Sequence, residues 1–155
     1  MKKLITCAVC AAAIFLSGCH LPSEKYYLYK KALESDYAGN HEQAAFFYRK
    51  AAEQGYVEAQ LMLGVLYERE KNYIEAVKWY RKAADQGYAL AQFNLGCLYF
   101  NGSGVEKNCA EAAKWFRKSA EQGNSFAQYT LGICYFDGQG VDKNLAEAAK
   151  WFRKA

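Results

Sequence analysis

The sequence predicts an all-α fold, a right-handed α-α superhelix (solenoid) of about four helix pairs. Three observations carry that expectation. Phe47-Tyr48, Trp79-Tyr80, Trp115-Phe116 and Trp151-Phe152 recur at steps of 32, 36 and 36 residues, each followed by Arg-Lys. Leu63-Gly64, Leu95-Gly96 and Leu131-Gly132 recur at steps of 32 and 36, as do Tyr67, Tyr99 and Tyr135. Within each unit the apolar positions keep helical spacing, and glycine rather than proline makes the joints: twelve glycines stand against Pro22 alone.

Each unit reads as two helices. In the first, Ala91, Leu95, Gly96 and Tyr99 fall at i, i+4, i+5 and i+8, one face of a 3.6-residue helix. A helical glycine costs about 1 kcal/mol against alanine, so Gly96 and its equivalents predict a close helix approach. In the second, Ala112, Trp115, Phe116 and Ser119 fall at i, i+3, i+4 and i+7. Glu75, Glu111 and Glu147 open these helices and the Arg-Lys pairs close them, which complements the helix dipole. Gly55, Gly87 and Gly123 follow as C′ stops. Phe-Asn-Gly-Ser-Gly-Val at 100–105 and Phe-Asp-Gly-Gln-Gly-Val at 136–141 join the two helices of a pair, and the second unit lacks this four-residue insertion. The units run over 26–55, 56–87, 88–123 and 124–155.

Ala-x-x-x-Leu-Gly-x-x-Tyr, Gly-x-Gly-Val and Ala-x-x-Trp-Phe-Arg-Lys-x-Ala-Glu-Gln-Gly resemble Sel-one-like repeats, relatives of the tetratricopeptide repeat. The resemblance covers residues 41–155. Residues 26–40 depart from it, with Ala32 where Gly64 predicts glycine and Ser35 where Tyr67 predicts tyrosine. It implies a helical superhelix, a role in assembling protein complexes, and a concave surface lined by first helices. Those residues are Leu61, Met62 and Val65, then Phe93, Asn94 and Cys97, then Tyr129, Thr130 and Ile133, with Phe100, Phe126 and Phe136 nearby. An apolar groove of this kind suits a protein or peptide partner. Burial under the next repeat explains the same residues equally well.

The N-terminus carries a different signal. Met1-Lys2-Lys3 is positive, and Leu4 to Leu16 is an apolar run broken only by Thr6. A membrane span takes about 20 residues, so the run fits the h-region of an export signal instead. Leu16-Ser17-Gly18-Cys19 resembles the bacterial lipobox. That implies a signal peptide over 1–18, a diacylglycerol on the Cys19 thiol, and a short tether over 19–25. His20 stands where aspartate would retain a lipoprotein at the inner membrane, so the resemblance favours the outer one. Each buried acyl CH₂ contributes about 0.8 kcal/mol, and two chains anchor stably.

Charge and motif content exclude several functions. The net charge of +4 rests partly on Lys2 and Lys3, and no basic block occurs, so no nucleic-acid partner is expected. Gly102-x-Gly104 and Gly138-x-Gly140 have Lys107 and Lys143 at the third fingerprint position, which argues against a dinucleotide cofactor. Asp137 to Asp142 lacks the alternating oxygen ligands of a calcium loop. His20 and His41 are too few for a metal site or a general base, and Ser-x-x-Lys is absent. No catalytic residue, metal, cofactor or small-molecule substrate is therefore expected. The alternatives are a β-lactamase-like or cell-wall hydrolase, as in the cysteine-rich branch of the resembled family, and a purely structural envelope lipoprotein. Cys97, Cys109 and Cys134 fall toward one edge of the array. They form a bridge that includes Cys109, or remain three small apolar residues. The last helix lacks a glycine stop, and Trp151 and Phe152 repeat the inward pattern without a following unit. The final pair is expected to be the least stable, with an open face that docks a partner or marks an incomplete chain.

Overall fold

A computed structural model describes residues 23–155. The expected signal peptide and Cys19 lie outside the described residues. Eight helices follow one another: α1 (Glu24–Tyr37), α2 (His41–Glu53), α3 (Val57–Arg69), α4 (Tyr73–Asp85), α5 (Ala89–Asn101), α6 (Cys109–Glu121), α7 (Ser125–Asp137) and α8 (Leu145–Lys154). Each packs chiefly on its neighbours in sequence, so α1/α2, α3/α4, α5/α6 and α7/α8 are antiparallel pairs stacked into a helical solenoid. Among the described residues there is no strand.

The second helices begin where an asparagine stops the preceding turn. The side chains of Asn72, Asn108 and Asn144 accept from the backbone N–H of Glu75, Glu111 and Glu147 at 3.4, 2.9 and 3.0 Å. Each such cap contributes about 1 kcal/mol, and the Asn-x-x-Glu spacing is a capping signature in the sequence itself. At the other end, the Gly87 and Tyr88 N–H groups return to the carbonyls of Ala84 and Ala83. This requires the left-handed conformation that Gly87 adopts at φ +89°.

The core runs through the middle of the stack rather than forming one ball. Tyr48, Tyr80 and Phe116 are its largest fully buried side chains. The close approach expected at Gly96 is present, because a Cβ there would lie 2.7 Å from the Phe116 ring. The N-terminal pair manages without the glycine and tyrosine of the later repeats. Ala32 is buried in their place, and the Ser35 hydroxyl donates to the Lys31 carbonyl at 2.9 Å. At the far end α8 packs on α7, and Phe152 is 38% exposed where its equivalent Phe116 is 1% exposed.

Candidate functional site

The first-helix residues expected to line a groove divide into covered and open positions. Leu61 is buried in a cluster with Ala91 and Leu95 of the next pair. Phe93 is half-buried, its ring 5.8 Å from Phe116 and 6.2 Å from Phe126. Tyr129, the third residue in this register, is 56% exposed and touches Phe152 at 5.6 Å. The reason is positional: the following first helix covers Leu61 and much of Phe93, and no helix of residues 23–155 covers Tyr129. Of the two readings, burial under the next repeat accounts for Leu61 and for the covered part of Phe93.

The remaining positions follow the same division. Met62 and Val65 are half-buried against the core. Asn94 lies beside the Tyr80 hydroxyl, which donates to Glu68 at 2.7 Å. Burial first, and then Glu68, push the Tyr80 phenol far above its ordinary range. Phe100 is half-buried 6.4 Å from Phe116. The Thr130 hydroxyl donates back to the Phe126 carbonyl at 2.8 Å. Phe126, Tyr129 and Phe136 stay open, with Phe126 69% exposed. Their spacing of i, i+3 and i+10 on α7, with Ile133 between them, makes one apolar stripe.

Two ladders hold successive pairs in register, and neither lies within a single sequence motif. Arg49, Arg81 and Arg117 donate through Nη2 to the hydroxyls of Tyr67, Tyr99 and Tyr135, each on the first helix of the next pair. Inside the stack, the Gln60, Gln92 and Gln128 side-chain amides donate to the carbonyls of Ala52, Ala84 and Ala120 at 3.1, 3.2 and 3.0 Å. The signal that would have found the first was its constant offset of 18 residues from arginine to tyrosine. The lysine of each Arg-Lys pair stacks on its own helix, with Lys82, Lys118 and Lys154 at 3.9, 4.1 and 4.3 Å over Trp79, Trp115 and Trp151.

Cys97 and Cys109 are half-buried free thiols in the structure and Cys134 is a buried one. Burial, and then Glu68, push the Cys97 thiol up to about 11; burial, and then Cys109, push Cys134 up to about 11. At pH 8 about one such thiol in a thousand is ionised, and the thiolate is the nucleophile. Iodoacetamide at pH 8 is expected to alkylate the half-exposed Cys109 well before Cys97 and Cys134, which should catch up only as pH approaches 11. Peptide mass mapping over time reads the order, and simultaneous labelling of all three would contradict this placement.

A groove of about 450 Å³ is lined by His41, Glu42, Ala45, Leu66, Arg69 and Glu70. The His41 Nδ1 lies 2.9 Å from Asp36, while the nearby Ser35 hydroxyl is turned to the Lys31 carbonyl. Among the described residues no cluster of three or more His, Cys, Asp or Glu is placed to hold a metal ion. Among them, too, no helix is long and apolar enough to cross a membrane.

The family model described as the Sel1 repeat matches residues 37–56, 57–88, 89–124 and 125–155. The solved structure of c5321, described as a protective antigen of uropathogenic Escherichia coli strains with an SLR fold, is 38% identical with a TM-score of 0.79. That match covers 84% of this chain and 30% of the other. A Sel1 repeat protein from Oxalobacter formigenes is 38% identical with a TM-score of 0.80, covering 84% of this chain and 55% of that one. Cysteine rich protein B of Helicobacter pylori is 26% identical with a TM-score of 0.58, covering 85% and 88%. The chain thus spans about a third and about half of the first two. Among curated proteins none matches. Four matched repeats over residues 37–155 and relatives of the same description and fold show that this chain belongs to the Sel1 repeat family.

Proposed function

We propose that this protein is a membrane-anchored lipoprotein, held through Cys19, that acts as a protein–protein interaction scaffold in the bacterial cell envelope, at the outer membrane. Sel1-repeat proteins are generally non-enzymatic scaffolds, which supports the coarser part of this reading. The observation that carries it is the stack of four Sel1 repeats over residues 37–155, whose pairs are tied together by the arginine–tyrosine and glutamine–carbonyl ladders. Among the described residues, Phe126, Tyr129 and Phe136 of α7 are exposed aromatics in helical register, a surface that suits the apolar face of a helix or peptide. The ordered signal and Leu16-Ser17-Gly18-Cys19 support the anchor, and the description of one relative as a protective antigen supports an outward-facing envelope location.

Two measurements test the two halves. Labelling with an alkyne fatty acid is expected to disappear in Cys19→Ala, and labelling that persists overturns the anchor. For the scaffold, benzoylphenylalanine at position 129 is expected to crosslink one discrete protein in intact cells. In the Phe126→Ala/Tyr129→Ala variant, capture of that protein should fall roughly tenfold, the loss of about 1.4 kcal/mol. Exposed substitutions stay within about 0.5 kcal/mol of neutral, so its Tm should move by less than about 3 °C. A variant that unfolds shows these aromatics to be core, and unaltered capture shows that the partner docks elsewhere.

A further inference from the structure

The first helix pair breaks the repeat at positions that share one end of the solenoid. On α1, Tyr27 stands where α3, α5 and α7 have Ala59, Ala91 and Ala127, and Lys31 stands where they have Leu63, Leu95 and Leu131. Those later residues are buried; Ala59 and Leu63, for example, pack against Tyr48, Ala51 and Ala52 of the preceding pair. On α2, Phe46 stands where the later second helices carry Lys78, Lys114 and Lys150, the exposed partners of Glu75, Glu111 and Glu147. An apolar ring therefore replaces a solvated ammonium, while a ring and an ammonium replace small and apolar packing residues.

These changes make one connected patch. Lys31 Nζ lies 4.9 Å from the Tyr27 ring and 5.6 Å from the Phe47 ring. Phe46 and Phe47 are 5.4 Å apart, and Lys50 Nζ sits 4.7 Å from Phe46. Tyr27 and Phe46 are each more than half exposed. The contacts join three rings and two ammonium groups, with no carboxylate among them. A second copy stacking its last pair here in repeat register would meet the Tyr27 ring and the Lys31 ammonium where the internal interfaces have alanine and leucine.

Aromatic rings beside lysines are the composition of a membrane–water interface: the rings settle at headgroup depth and the ammonium groups meet phosphate. The tether brings that surface within reach. Five residue steps separate Cys19 from Glu24, at most about 18 Å when fully extended. We infer that the end face made by Tyr27, Lys31, Phe46, Phe47 and Lys50 seats on the phospholipid surface. The solenoid then stands end-on, with the α7 stripe held away from the bilayer. This rests on the anchoring through Cys19 proposed above.

The test uses the full chain, purified with its lipid and reconstituted in vesicles of phosphatidylethanolamine with a smaller share of phosphatidylglycerol. The mass of the Cys19 peptide is measured first. Benzoylphenylalanine is then placed at position 46 or, two repeats up, at the equivalent position 114. Phospholipid adducts are expected roughly tenfold more often at 46, because an interfacial side chain sits about 5–10 Å into the headgroup boundary. The Tyr27→Ala/Phe46→Lys variant restores residues that the other repeats carry, so the fold should persist. In that anchored variant Lys50 should become as open to acetylation as Lys118, its equivalent in the third pair. Equal adduct yields at the two positions, copy-to-copy adducts at 46, or unchanged protection of Lys50 overturn the seating alone. A Cys19 peptide without diacylglycerol overturns the anchoring and the seating with it.

Discussion

Phe116→Ala is expected to destabilise the protein by about 3–5 kcal/mol in urea unfolding, the range for emptying a buried aromatic site. The ring is 1% exposed and is the common neighbour of Phe93 at 5.8 Å and Phe100 at 6.4 Å. It also fills the space above Gly96 that permits α5 and α6 to approach. Removing it strips packing from three sides of a site that two backbones hold open, so collapse recovers little. A domain is stable by about 5–15 kcal/mol, so this loss is a large fraction of the whole. Phe152→Ala supplies the internal comparison, because the same repeat position is 38% exposed there and the cost should be less than half. Equal costs at the two positions would show that the ring's worth lies within its own pair and not in the stack.

The second large effect is expected from Gly104→Ala. Gly104 has φ +70°, and a Cβ there would fall on the Tyr73 carbonyl and 2.8 Å from the Ile74 nitrogen. Two terms add. The left-handed conformation costs an alanine about 1–2 kcal/mol, and forcing an atom into a filled space costs about 1–3 kcal/mol more. The obstacle is backbone at the start of α4, which has no rotamer to change, so the upper part of the range applies. Gly87→Ala separates the terms: φ is +89° there, yet nothing lies within 4 Å of the added atom. It should lose only the conformational share. Chemical unfolding of both variants reads the difference, and equal losses would mean that the connecting loop yields and does not fix the spacing between pairs.

Much of this architecture was legible from residue patterns. Periodic aromatics and Leu-Gly steps set the number of pairs, because helical periodicity is a short-range property that each segment carries in its own residues. The stops at Gly55, Gly87 and Gly123 were equally local, since their positive φ values are a backbone preference. The Asn72, Asn108 and Asn144 caps belong to the same class, each three residues before the glutamate whose N–H it accepts.

The interaction surface was not legible in that way. Leu61, Phe93 and Tyr129 occupy one repeat position, yet they are buried, half-buried and exposed in turn. Their own residues do not set that order; whether a following first helix within residues 23–155 covers them does. The Arg49–Tyr67 ladder and its successors likewise join groups on different pairs, and only stacking brings them within hydrogen-bond reach. At the other end, Tyr27, Lys31 and Phe46 are scattered substitutions in the sequence and become one surface only when α1 and α2 pack. The sequence by itself determined the helices, their joints and the repeat, since those depend on neighbours within about a turn. Tertiary structure alone decided which faces remain open, since exposure depends on what lies across the interface.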